Sequence, residues 1–168
     1  MSDTDMLRFL AHALELEAEA MTRYEELAQA LRVHNNPDAA DFFSGMAVEA
    51  SRHLSEVEGL IGEKELPNIP PWEFDWKADA PESASYESLH YRISMREALL
   101  LALENERSAQ RFYAGYAATC RNPQTSALAQ EFADEESEHA RLLEEKLKGT
   151  PEHSALNRED DDPPHMPE

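Results

Sequence analysis

Five side chains scattered along the 168 residues have the types and spacing to do chemistry together: Glu17, His53, Glu106, Glu136 and His139. Glu136-Ser137-Glu138-His139 is a Glu-x-x-His segment. On a helix, side chains three residues apart point the same way and can hold one metal ion jointly. Glu17 and Glu106 each precede a tyrosine by seven residues, Tyr24 and Tyr113 respectively. That is about two helical turns, so each Glu shares a face with its Tyr. The face is otherwise apolar. Leu10, Leu14, Glu17, Met21, Tyr24, Ala28 and Leu31 step by four and three, and Leu99, Leu103, Glu106, Gln110, Tyr113, Ala117 and Cys120 repeat the pattern. A carboxylate in an apolar seam costs several kcal/mol unless it is paired or bound to metal. One Glu from each of two helices, with Glu-x-x-His from the others, is the ligand pattern of two-metal carboxylate centres in helical bundles. Carboxylates with imidazole suit iron or manganese, and ligand softness does not exclude zinc.

Four helices must position these groups. Ser2 to Asp5 supply N-cap candidates for a helix running to about Arg32, and His34-Asn35-Asn36-Pro37 breaks it. Pro37 opens a second helix, with Ala39, Phe43, Met46, Ala50, His53, Val57 and Leu60 on its seam, ending near Gly62. Residues 63–93 form a long, Pro-containing connection with Trp72, Phe74 and Trp76 clustered in it, which fits a crossover along a bundle. Ser94-Met95-Arg96-Glu97 reads as a capping box for a third helix, which Asn122-Pro123 ends near Arg121. The fourth carries Leu128, Phe132, Glu136, His139 and Leu143 on one face and stops at Gly149-Thr150-Pro151. The predicted fold is therefore all-α: a four-helix bundle over residues 1–148, built from hairpins at about 5–62 and 94–148, followed by an acidic, disordered tail over 149–168. The hairpins are internal repeats, Glu17 matching Glu106, Tyr24 matching Tyr113 and His53 matching His139. A pseudo-twofold axis then brings the matched seam residues together at mid-bundle.

The formal charge of −20 argues against nucleic acid or an anionic membrane surface as partner. No stretch approaches the roughly 18 apolar residues of a membrane span, and no signal peptide is recognisable, so a cytoplasmic location is the expectation. The single Cys120 excludes an intrachain disulfide and a thiolate-ligated iron site, and it reads as a small buried seam residue. His12, His34, His90, His153 and His165 fall outside the ligand pattern.

On Glu17 with Tyr24, His53, Glu106 with Tyr113, and Glu136 with His139, residues 5–148 resemble the rubrerythrin branch of the ferritin-like superfamily. The resemblance implies two irons, with the Glu of helices one and three capping them. It also implies a bridging Glu in each Glu-x-x-His, one His on each iron, and tyrosines hydrogen-bonded to nearby carboxylates. It further implies reduction of peroxide or oxidation of ferrous iron by dioxygen. Rubrerythrins proper draw electrons from a rubredoxin-like domain, which these residues do not carry, so the expected electron donor is unidentified. The chain departs from this pattern in two places. Ala50 fills the position of the second bridging Glu, and Ala109 stands where rubrerythrins carry an additional Glu on helix three. Glu49, about 40° round the helix from His53, is a further ligand candidate. Glu135 occupies the matching place beside an intact Glu136, which favours a flanking surface role for Glu49. Ala50 also motivates a rival reading, a mononuclear or metal-free binding module. A cage-forming storage subunit would carry a short fifth helix, whereas Pro151 and the acidic tail follow helix four. The aromatic cluster at Trp72, Phe74 and Trp76 points to a homodimer contact.

Overall fold

The computed structural model describes residues 2–70, 73 and 92–151. It contains α1 (Ser2–Val33), α2 (Pro37–Ile61), α3 (Met95–Thr119) and α4 (Pro123–Lys148). There is no strand among the described residues, and none of their helices is long and apolar enough to cross a membrane. Trp72, Phe74, Trp76 and the acidic segment from residue 152 lie outside the described residues, as does most of the crossover.

Several helix ends have a local cause. Ser94 Oγ accepts the Glu97 N–H at 3.1 Å, which satisfies one of the free amides at the start of α3. Asn122 Oδ1 accepts both the N–H and the hydroxyl of Thr125, at 2.9 and 3.1 Å, ahead of Pro123 at the first turn of α4. The sequence-equivalent Asn36 does not cap its own helix. Its Nδ2 donates instead to Ile93 O at 2.9 Å, tying the α1–α2 turn to the residues that lead into α3. Gly62 ends α2 with φ +60°, a left-handed conformation that glycine adopts without Cβ strain.

The helices pack most closely within each hairpin, α1 on α2 and α3 on α4. The apolar filling falls into three clusters. Tyr24, Leu27, Leu31, Ala40 and Phe43 join the first hairpin to Ile93 and Ala98. Phe9, Leu16, Val57, Tyr113, Phe132 and Ala133 draw on all four helices. Leu99, Leu103, Ala140 and Leu143 close the second hairpin. Burying one such Leu or Phe side chain contributes about 1.5–3 kcal/mol.

Two seam assignments shift in the structure. Leu60 is largely exposed, and Ile61 takes the buried place at the end of α2. Cys120 is only partly buried, because α3 stops at Thr119 and the cysteine becomes its C-cap. His12 is fully buried, with Nδ1 2.8 Å from Arg8 O and its ring beside Phe112 and Tyr116. It is a packed core residue that does not line the cavity shared by the ligands.

Candidate metal centre

All five sequence-predicted ligands meet in the middle of the bundle. Glu17 arrives from α1, His53 from α2, Glu106 from α3, and Glu136 with His139 from α4. The three carboxylates are among the most buried polar residues, at 3%, 5% and 2% exposure for Glu17, Glu106 and Glu136. Burial of that depth is costly for a carboxylate, so their company decides whether the fold tolerates them.

The geometry centres on Glu136. Its Oε1 lies 3.5 Å from His53 Nδ1, and its Oε2 lies 3.6 Å from His139 Nδ1. Glu17 Oε1 stands 3.7 Å from the same nitrogen of His53, and Glu106 Oε2 stands 3.7 Å from that of His139. Two half-sites result, Glu17 with His53 and Glu106 with His139, with one oxygen of Glu136 turned to each. The imidazoles stack at 4.9 Å between centroids. His53, Glu136 and His139 offer ligand atoms that all lie within 4.8 Å of one another.

The electrostatics are those of a crowded donor set. Burial raises the Glu17 carboxyl, against the pull of His53. Burial and then the charge of Glu136 raise Glu106 well above the ordinary carboxylate range. Burial acts on Glu136 in the same sense, but contacts with Glu106, His139 and His53 override it and hold the group down at about 2. Burial would lower His53, yet Glu136 and Glu17 push it up to about 11. Glu106 and Glu136 push His139 up to about 10. Without metal, the centre therefore holds imidazolium charge against an ionised Glu136.

Glu136 Oε2 is buried and has no hydrogen-bond partner among the described residues. A native fold rarely leaves such an acceptor orphaned. An ion between Glu136 and His139 would satisfy it, and three carboxylates with two imidazoles form a donor set suited to iron, manganese or zinc. The residues fit a metal.

The tyrosines are fixed by aromatic packing. Tyr113 meets Phe9 and Phe132 edge-on, and its hydroxyl donates to Glu17 Oε1 at 3.0 Å. That hydrogen bond reaches a carboxylate of the other hairpin. Tyr24 lies against Phe43, and its hydroxyl accepts from Asn105 Nδ2 at 3.4 Å.

Ala50 is buried and lines the cavity beside Met46, Tyr24 and the ligand cluster. Glu49 also lines that cavity, but its side chain is 45% exposed and ion-paired with Arg52. Ala109 is completely buried in the cluster around Tyr113. One contact was not anticipated from sequence. Glu135 Oε2 stands 3.6 Å from His53 Nε2, so this residue of α4 faces the imidazole of α2, while it also feels the charge of His139 on its own helix. Its position four residues before His139 was a visible signal, but the helix across which it would act was not.

Comparison with known proteins agrees with this architecture. The rubrerythrin family profile matches residues 8–73 and 97–163. A crystal structure of an uncharacterized conserved protein from Magnetospirillum magnetotacticum MS-1 is similar, with a TM-score of 0.69 and 35% sequence identity. The alignment covers 89% of this chain and 97% of that one. No curated protein matches. With a profile match across both hairpins and a bundle whose buried carboxylates and histidines meet at its centre, the chain belongs to the rubrerythrin family.

Proposed function

We propose that the chain is a non-haem di-iron protein of iron-linked redox chemistry, acting with peroxide or dioxygen. The placing of Glu136 between His53 and His139, one carboxylate oxygen to each, carries the reading. Glu17 and His53 Nδ1 would hold one metal, Glu106 and His139 Nδ1 the other, and Glu136 would serve both. When bound, a pair of irons supplies electrons to an oxidant and takes them back from a reductant. The protein's part is to bury the ligands, exclude bulk water and orient each group. Tyr113 holds Glu17, and the Phe9–Phe132 packing holds Tyr113. In this reading the reductant acts from outside these 168 residues, whose one cysteine cannot build a thiolate-ligated electron-transfer site.

The test is metal content. Metal-free protein is supplied anaerobically with ferrous iron, desalted and analysed, with manganese and zinc in parallel. About two equivalents per chain are expected, and the reduced protein should develop near-ultraviolet absorption on exposure to air. Uptake of a single equivalent would favour the mononuclear reading that Ala50 motivates. No uptake of any of the three metals would refute both.

A further inference from the structure

The two half-sites are not equivalent, and the difference lies outside the five ligands. His53 turns Nδ1 towards Glu17 and Glu136, and its other nitrogen, Nε2, faces Glu135 Oε2 at 3.6 Å. Among the described residues, the ion-pair contacts of His139 all run through Nδ1, to Glu106 and Glu136. The repeat supplies a counterpart for Glu135: Glu49, also four residues before a histidine. That residue is ion-paired on the surface with Arg52, a cation whose repeat-equivalent beside His139 is Glu138, itself paired with Arg141. Thus Glu135 is left facing the opposite imidazole, whereas Glu49 is occupied on its own helix.

An imidazole that ligates through one nitrogen is oriented by what its other nitrogen meets. A carboxylate there fixes the tautomer and raises the basicity of the ligating nitrogen. We propose that Glu135 is a positioning residue for His53, reaching from α4 to hold the α2 imidazole with Nδ1 turned inward, and that it makes the Glu17–His53 half the tighter of the two. The hydroxyl of Tyr113 on Glu17 braces the same half. The inference rests on the metal-binding reading above, and it assigns an order of filling: the first ion enters between Glu17 and His53.

Cobalt(II) titration of the metal-free full chain, followed by visible absorption, tests it. The wild type should bind in two resolved steps. Glu135→Ala should weaken the first step by about 10–100-fold and spare the second, as expected on losing an outer-shell partner. Glu135→Gln keeps an acceptor for the Nε2–H and should recover part of the loss. In the zinc-loaded wild type, nitrogen NMR should show His53 protonated at Nε2 and held in one tautomer, with that signature broadened in the alanine variant. Glu135 is partly exposed, so both variants should keep wild-type helical content, and the glutamine variant alone decides if the alanine one does not fold. Equal binding steps in the wild type, unchanged first-step affinity in both variants, or equal weakening of both steps would overturn the inference. Failure of the wild type to take up cobalt would instead overturn the metal reading itself.

Discussion

Replacing Ala50 by Glu should destabilise the metal-free protein and strengthen its hold on metal, a reversal of sign within one substitution. Ala50 is buried, and its cavity already holds Glu17, Glu106 and Glu136. In the metal-free state a fourth carboxylate must enter a site where burial and the charge of Glu136 already push Glu106 up. It will take up a proton in preference to ionising, so the main penalty is overpacking, about 1–3 kcal/mol. For a chain of this length each kcal/mol lowers Tm by about 2–4 °C, so a fall of roughly 2–12 °C is expected. With two divalent ions the balance inverts. Four positive charges face three carboxylates in the native set, and a fourth carboxylate makes the buried centre neutral. The metal-induced rise in Tm should therefore be larger in Ala50→Glu than in wild type. Thermal unfolding by circular dichroism, with and without saturating manganese, reads both values. An equal loss of Tm in the two states would refute the charge argument, because it would mean that the new carboxylate never meets the metal.

Other outcomes follow from named contacts. Tyr113→Phe removes the hydroxyl that donates to buried Glu17, and denaturant unfolding of the metal-free protein should show a loss of about 1–3 kcal/mol, as for a buried acceptor left unsatisfied. His53 and His139 carry protons up to pH about 11 and about 10 in the metal-free protein, so metal must displace them. Calorimetry in buffers of different ionisation enthalpy should show proton release on uptake, and affinity should rise with pH across the neutral range. These raised values stabilise the metal-free fold fully below the ordinary histidine pKa of 6.5, and that stabilisation should fade as pH climbs through about 10 and then 11. Asn122→Ala should cost about 1 kcal/mol by uncapping α4, whereas Asn36→Ala should act through the lost tie to Ile93 without fraying α2.

The bundle was legible in the sequence because its signals are local and repeated. The Asn-Pro breaks, the Ser94 cap and the seam periodicity each depend on residues within a turn or two. The five-residue cluster was legible because a buried carboxylate is anomalous on an apolar seam, and the repeat made the anomaly appear twice. What escaped depends on which helix faces which. The Glu-to-Tyr spacing in one helix suggested an intrahelical partnership, whereas Tyr113 serves Glu17 of the other hairpin. Glu135 entered the sequence reading only as the counterpart of Glu49 beside Glu136, yet it faces His53. Leu60 and Cys120 were misjudged because a seam read by steps of three and four drifts at helix ends, where one residue decides which side chain turns inward.

The tie between Asn36 and Ile93 bears on how the centre comes together. Glu17 and His53 ride on the first hairpin, while Glu106, Glu136 and His139 ride on the second. Each hairpin is a local structure that closes over a short turn, a topology that forms quickly. The ligand cluster exists only once the two have docked in register, and the Asn36 side chain clasps the turn of one to the threshold of the other. A bound ion would then act as a rivet through two separately hinged plates. Slippage between the plates would empty the centre while every helix stayed intact, so under the proposed function metal content would report the docking of the hairpins before it reported their folding.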